Sequence, residues 1–139
     1  MALDVYLNFQ GNAREAIRFY TDVFGSEPAQ MMTFAEAPPN PDFPLPDEAK
    51  DQIMHARLMI DGSSVMFSDT FPGTPFTVGN NVSLVFNSDS KDRMTELFGK
   101  LKNGGNVTME LQETFWSQYY GMLTDKFGIN WMFNHIAES

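Results

Sequence analysis

The chain has 139 residues, of which 42% are hydrophobic, 18 are acidic and 9 are Lys or Arg, so its net charge at pH 7 is −9. This acidic balance argues against nucleic acids and anionic membranes as partners, because binding to either requires a basic patch. The sequence has no cysteine, which excludes disulfides, thiolate metal sites and a cysteine nucleophile.

The length suits one domain, or two small halves that share a core. No apolar run approaches the roughly 20 residues of a membrane-spanning helix. The first residues lack the basic start and apolar run of a signal peptide. We therefore expect a cytoplasmic protein whose partner is a small organic molecule or another protein.

The first half begins with a predicted strand and a predicted helix. Apolar and polar residues alternate over residues 4–9, which is typical of a half-buried strand. Asn12, with Glu15 three residues later, resembles a capping box at the start of a helix, and Gly25 predicts its end. A short strand near 31–34 follows.

Residues 35–51 differ in composition from the rest, since they contain five of the eight prolines together with several acidic residues. Proline cannot donate a hydrogen bond to a strand ladder, so this segment is predicted to be a loop. It is too long for a plain connection. It is therefore either a lid over a site or a mobile surface insertion.

A β-hairpin is predicted after this insertion. Its strands lie near 53–60 and 64–69, and Asp61 and Gly62 form the turn between them. Residues 70–79 then link the two halves of the chain.

The second half repeats the same order of elements. A strand over 81–86 precedes a helix with Asp89 as its predicted cap, and Gly104 and Gly105 end that helix. A strand near 107–111 follows. The last hairpin of the chain then turns at 125–128.

We therefore predict one domain over 1–139, built from two tandem βαβββ repeats at about 1–72 and 80–139, with the proline-rich insertion at 35–51. One such repeat covers only one face of its sheet. Two can form a curved eight-stranded mixed sheet with the helices on its convex side, which is an α+β fold.

Alternation gives four of the predicted strands two different faces. The face expected to lie under the helices is apolar, and the opposite face mixes small polar residues with methionine and a single charge, Asp4. A mixed face that lines a concavity fits a ligand pocket; the alternative is an ordinary solvent-facing sheet. The apolar set is Val5, Leu7, Phe9, Val65, Phe67, Val82, Leu84, Phe86, Trp131 and Phe133. The mixed set is Asp4, Tyr6, Asn8, Ser64, Met66, Ser68, Asn81, Ser83, Val85, Asn87, Asn130, Met132 and Asn134.

Three residues of the first half are candidates for chemistry. His55 is either a general base or ligand anchor, or a strand-end histidine bonded to the backbone. Asp69 either orients His55 or caps the turn after it. Arg57 either binds an anionic ligand or forms an external salt bridge.

The aromatic run over 115–120 has two interpretations as well. Its rings either form a stacking wall for a flat or apolar ligand, or pack in the core or a dimer interface. Trp116 and Tyr120 are the better pocket candidates.

The doubled βαβββ pattern and several motifs together resemble the vicinal oxygen chelate superfamily (glyoxalase I, extradiol dioxygenases and bleomycin resistance proteins), and within it the PhnB-like branch. Proteins of this branch often carry a label that relates them to a demethylubiquinone methyltransferase, although no glycine-rich nucleotide loop occurs here. The motifs are Ala16-Ile-Arg-Phe-Tyr20, Phe24-Gly25, Tyr6-Leu-Asn-Phe-Gln-Gly-Asn12, His55-Ala-Arg-Leu58, Ser68-Asp69, Trp116-Ser-Gln-Tyr-Tyr-Gly121 and Asp125-Lys-Phe-Gly-Ile-Asn-Trp131.

The resemblance implies a metal site that this sequence lacks the ligands to build. Enzymes of the superfamily usually hold a divalent metal with His or Glu from the first and last strands of each half. Strand parity places these four positions at Asp4, Met66, Asn81 and Met132. A one-residue slip in the first strands would substitute Val5 for Asp4 and Val82 for Asn81. The thioethers of the two methionines are poor ligands for Mg, Mn, Fe(II) or Zn, so we expect no metal and no cofactor.

The resulting prediction is a metal-free, PhnB-like small-molecule binding protein of unidentified ligand, a homodimer by resemblance. One alternative is a metal-dependent isomerase, lyase or dioxygenase with a displaced site at His55, Asp69 and Asp4. Another is a structural dimer with a vestigial cavity. The catalytic candidates are His55 and Asp69. The predicted ligand-binding residues are Tyr6, Asn8, His55, Arg57, Met66, Ser68, Ser83, Trp116, Tyr120, Met132 and Asn134.

Overall fold

The structure is a computed structural model, and it describes residues 3–42 and 44–136. The chain divides into two compact units, Met1–Phe76 and Thr77–Ser139. Among the described residues, neither helix has the length and apolarity that would let it span a bilayer.

Over the residues that the structure describes, the first unit contains four strands, one α-helix and two short 3₁₀ helices, Phe34–Glu36 and Asp47–Ala49. Its sheet has the order β1-β4-β3-β2, in which β1 is parallel to β4 and the other neighbours are antiparallel. The elements are β1 (Val5–Phe9), α1 (Ala13–Phe24), β2 (Gln30–Thr33), β3 (Ile53–Ile60) and β4 (Ser63–Asp69).

The second unit repeats this topology with the strand order β5-β8-β7-β6, and β5 is again parallel to β8. The predicted α+β fold of two βαβββ modules is thereby confirmed, with the eight strands forming two sheets of four. The elements are β5 (Leu84–Ser88), α2 (Lys91–Leu101), β6 (Asn106–Gln112), β7 (Tyr120–Thr124) and β8 (Asn130–His135).

The core of each unit lies between its helix and one face of its sheet. In the first unit the ring of Phe67, on β4, stacks with Tyr20 of α1 at 5.9 Å and with Phe9 of β1 at 6.1 Å between centroids. In the second unit Phe133, on β8, lies 5.3 Å from both Phe86 of β5 and Phe98 of α2. Burial of each such ring contributes about 1.5–3 kcal/mol.

The predicted placement of Val82 on the apolar face was wrong. β5 begins at Leu84, which pairs with Trp131, and Val82 lies before the strand with 69% of its surface exposed. The amide of Asn130 donates to the carbonyl oxygen of Val82 at 3.3 Å and to that of Gly79 at 3.4 Å. The segment before β5 is therefore held by the side chain of Asn130, and not by the backbone hydrogen bonds that the predicted strand would have made.

The C-terminal end of α1 was predicted correctly, whereas the N-terminal caps of both helices were not, and α2 ends at Leu101, before the predicted Gly104. Gly25 ends α1 in the left-handed conformation with φ of 62°, as predicted. Asn12 occupies the N-cap position of α1 but its side chain makes no capping hydrogen bond, so the predicted capping box is absent. The cap of α2 is Ser90, whose hydroxyl accepts from the Arg93 N–H at 3.1 Å, and not Asp89.

The insertion over 35–51 is held at its base by backbone hydrogen bonds. The N–H of Phe34 donates to Gln52 O at 3.1 Å, and that of Ala35 donates to Lys50 O at 3.2 Å. The insertion, together with Phe34 and Phe71, lines a partly open cavity of about 430 Å³. Whether the insertion acts as a lid stays an open prediction. The cavity is lined by Phe34, Ala35, Ala37, Pro38, Pro39, Asn40, Pro41, Pro44, Leu45 and Phe71.

Candidate functional site

Six predicted ligand-binding residues lie together on the first sheet, on the side opposite α1, which we call the first open face. Strand register places Met66 between Tyr6 on β1 and Arg57 on β3, and it pairs Asn8 with Ser68. His55 precedes Arg57 by two residues on β3, so the two side chains lie on the same face of the sheet. The six residues are Tyr6, Asn8, His55, Arg57, Met66 and Ser68.

Side chains on the first open face contact one another. The rings of Tyr6 and His55 lie 6.0 Å apart at an interplanar angle of 42°. The hydroxyl of Ser68 donates to Asn8 Oδ1 at 3.4 Å. Tyr6 is 44% exposed and Ser68 only 9%, so the face offers both accessible and covered polar groups. The predicted site residues of the first half are therefore neighbours in the structure.

Arg57 is oriented by its own hairpin. Its Nε donates to Ser64 Oγ at 2.8 Å, which fixes the plane of the guanidinium group. The predicted external salt bridge of Arg57 does not occur with any residue that the structure describes.

Asp69 lies on the other side of the sheet from His55. Its Oδ1 accepts from the N–H groups of Gly11 and Ala13 at 2.8 and 2.9 Å, and its Oδ2 accepts from Ile53 N–H at 2.9 Å. The carboxylate therefore caps α1 and holds the start of β3. Of the two alternatives predicted for Asp69, the orientation of His55 is wrong, because successive residues of a strand point to opposite faces and Asp69 shares the buried face of Phe67. The other alternative, a cap on the turn after Asp69, is wrong as well, since the carboxylate accepts from Gly11, Ala13 and Ile53.

The second sheet presents an equivalent side, the second open face, opposite α2. Met132 of β8 pairs with Val85 on one neighbouring strand and with Met122 on the other. The Tyr120 hydroxyl donates to Met132 Sδ at 3.1 Å, and Tyr120 pairs with Asn134 across β7 and β8. Three of the predicted residues, Tyr120, Met132 and Asn134, are thus brought together.

Trp116 and Ser83 lie beside the second sheet rather than in it. Trp116 packs edge-on against Tyr120 at 5.5 Å and against Phe115 at 4.7 Å, and it is 54% exposed. The alternative in which Trp116 packs in the core is therefore wrong, whereas its roles in a stacking wall or in a dimer interface stay predictions. Ser83 lies immediately before β5 and is exposed.

The sequence-based prediction missed members of both faces. Met122 belongs to the second open face because β7 alternates Tyr120, Met122 and Thr124 with the buried Leu123. That alternation was a usable signal. Met32 pairs with His55 at the edge of the first sheet, and this pairing is set by the register between β2 and β3, which leaves no local sequence signal.

The residues at the implied metal positions do not fit a hard divalent cation. The last-strand positions, Met66 and Met132, do lie on the two open faces, but their first-strand neighbours are Tyr6 and Val85. Thioether, phenol and isopropyl groups are poor ligands for Mg, Mn, Fe(II) or Zn. Over residues 3–42 and 44–136, no three His, Asp or Glu side chains come close enough to hold a metal ion. The displaced set of His55, Asp69 and Asp4 is not assembled, because Asp69 lies on the buried face.

The sequence model of the family described as 3-demethylubiquinone-9 3-methyltransferase matches residues 2–133. The chain belongs to this family. Protein YjdN from Escherichia coli is 33% identical over 147 residues, which cover 99% of this chain and 97% of YjdN. Protein PA1353 from Pseudomonas aeruginosa is 37% identical over 99% of each chain, with a TM-score of 0.86.

The PhnB protein from Bacillus cereus has the same fold, with 24% identity, a TM-score of 0.75 and coverage of 98% of this chain and 100% of that one. A glyoxalase/bleomycin resistance protein/dioxygenase family enzyme from Burkholderia phytofirmans shares the fold as well, with 20% identity, a TM-score of 0.62 and coverage of 96% of this chain and 99% of that one. The predicted membership in the PhnB-like branch of the vicinal oxygen chelate superfamily is thereby confirmed.

Proposed function

We propose that this PhnB-like protein binds a small organic molecule on its first open face. The observation that carries this proposal is the grouping of Tyr6, His55 and Arg57 around Met66 on the side of the sheet that the helix leaves uncovered. A ligand site of this kind combines apolar surface with a few oriented polar groups.

The chemistry of the first open face supports a ligand that is partly apolar. Met66 provides a polarizable, adaptable contact, and the ring of Tyr6 provides a flat one. Asn8 and Ser68 are bonded to each other, so the carboxamide group of Asn8 is held in place for a polar group of the ligand. Each of these groups can bind a ligand without any covalent step.

We assign binding rather than a reaction. The family description names a methyltransferase, but the sequence contains no glycine-rich nucleotide loop. The carboxylate that would have activated His55 bonds three backbone N–H groups elsewhere. The second open face, with its methionines, is a further candidate contact surface, and Trp116 and Tyr120 remain its proposed aromatic ligand contacts.

The test uses N-phenyl-1-naphthylamine, a neutral aromatic probe whose fluorescence rises in apolar surroundings. We expect saturable binding that weakens roughly 3- to 10-fold in His55→Ala, since an aromatic contact is worth about 0.5–1.5 kcal/mol. The matched control is His135→Ala, because the ring of His135 bonds Asp89 O at 3.1 Å away from both open faces. Absence of saturable binding, or equal affinity in both variants, would contradict the proposal.

Two further properties remain part of this proposal. We expect a homodimer by analogy with the superfamily, and gel filtration at the mass of one chain, 15.7 kDa, would contradict it. We also expect a cytoplasmic location, which cell fractionation would test.

A further inference from the structure

We propose that the ligand of the first open face is an organic anion, with a carboxylate or sulfonate group held by Arg57 and an apolar body lying on Met66 and Tyr6. This inference rests on the proposed binding function and adds the chemical class of the ligand.

The orientation of Arg57 is the first observation. Its Nε–H is committed to Ser64 at 2.8 Å, which places the guanidinium group in one plane on the open face. Among the described residues, its two terminal amino groups make no hydrogen bond and no ion pair. Two parallel N–H groups in a fixed plane match the two oxygens of a carboxylate or sulfonate group.

The second observation is the absence of acidic residues from the strand positions of the first open face. The chain carries twice as many acidic residues as Lys and Arg together, 18 against 9. Even so, no described residue on the open-face side of β1 to β4 is acidic, because Asp69, the acidic residue of these strands, points into the core. Arg57 is therefore the fully charged residue at the strand positions of this face, and the acidic residues Asp4 and Asp61 lie outside the strands. Its guanidinium group attracts an anion locally in a protein of net negative charge.

The neighbours of Arg57 complete the argument. Met66 lies beside Arg57 in the strand register, and Tyr6 lies beside Met66. Since neighbouring strands are about 4.8 Å apart, Arg57 and Tyr6 lie about 10 Å apart. This span accommodates a ligand of one or two aromatic rings whose acidic group bonds Arg57 while its apolar body covers Met66.

The test compares two probes that differ by one group. 8-Anilino-1-naphthalenesulfonate is N-phenyl-1-naphthylamine with an added sulfonate. We expect the sulfonate probe to bind about 5- to 10-fold more tightly than the neutral probe, and Arg57→Gln to remove this difference while leaving the neutral probe bound. The control is Arg18→Gln, an exposed arginine on α1, which should preserve the difference.

The outcomes separate this inference from the proposed function. If neither probe binds, the binding function fails and this inference fails with it. If the neutral probe binds but the sulfonate probe binds no better, the face binds ligands that are not anions. If the sulfonate probe binds better and Arg57→Gln preserves that difference, the anion is held elsewhere, and the assignment to Arg57 is overturned.

Discussion

The two units share one topology but have different open faces. On the first sheet the row across β1, β4 and β3 is Tyr6, Met66 and Arg57, and on the second the equivalent row across β5, β8 and β7 is Val85, Met132 and Met122. The buried faces, in contrast, both centre on a phenylalanine under the helix. The buried face therefore sets the fold, while the open face is free to carry different chemistry.

Each unit also uses one buried aspartate, 3% exposed, as an acceptor for three N–H groups, but in a different place. Asp69 joins the start of α1 to the start of β3. Asp125 closes the turn between β7 and β8 and accepts from the Trp131 indole at 2.9 Å. The same chemistry thus stabilises contacts between elements in the first unit and a local turn in the second.

The largest expected effect comes from removing these carboxylates. Asp69→Ala leaves two buried N–H groups and a partly buried one without an acceptor, so we expect a loss of about 3–5 kcal/mol in the free energy of unfolding. Asp125→Ala should cost about 2–4 kcal/mol, because two of its three donors are only partly buried and can bond water.

Urea titration followed by circular dichroism and by tryptophan fluorescence would measure both variants. Both tryptophans lie in the second unit, so fluorescence reports on that unit alone. The exposed Asp4→Ala is the control. An Asp69→Ala protein as stable as the control would contradict the role assigned to this residue.

A smaller effect is expected where the two buried faces differ. Ala56 lies opposite Phe67 in the first unit, and Gly121 lies opposite Phe133 in the second. A Cβ at Gly121 would lie 2.9 Å from Leu111 Cδ2 and 3.1 Å from Phe98 Cε2.

Gly121→Ala should therefore destabilise the protein by about 1–3 kcal/mol through overpacking. The reciprocal change Ala56→Gly should cost about 1 kcal/mol, since it removes a buried methyl group and frees the unfolded backbone. The same urea titrations would measure both changes. A Gly121→Ala variant at least as stable as the parent would mean that Leu111 can move aside at no cost.

The smallest effect is expected from the exposed ion pair of the insertion. Lys50 Nζ lies 2.8 Å from Asp47 Oδ1; this hydrogen bond, helped by the opposite charge, lowers the pKa of Asp47 and raises the pKa of Lys50. Any contribution of Asp47 is present above its unfolded pKa and lost as pH falls through the lower folded pKa. Any contribution of Lys50 is present below its unfolded pKa and lost as pH rises through the higher folded pKa.

Both side chains are exposed, so Lys50→Met should leave the melting temperature unchanged at pH 7 within experimental error. Thermal denaturation at pH 7 and at pH 3 would measure this. A clear loss of stability at pH 7 would show that the base of the insertion depends on the pair.

The predictions from sequence succeeded where a pattern is local. Alternation identified the faces of β1, β4 and β8, and Gly25 identified the end of α1. They failed where a residue distant in the sequence makes a hydrogen bond that a nearby residue was predicted to make. Asp69, and not the Asn12 side chain, caps α1, although the two residues lie far apart in the sequence.

The sequence alone determined the repeat, the fold class and which side of β1, β4 and β8 is buried, because hydrophobic alternation and turn residues act over a few positions. Only the tertiary structure decided that Asp69 lies on the buried face and away from His55. It also decided that Tyr6, Met66 and Arg57 form one row. Strand register and long-range hydrogen bonds join residues up to 60 positions apart in the sequence, and no local pattern encodes such contacts.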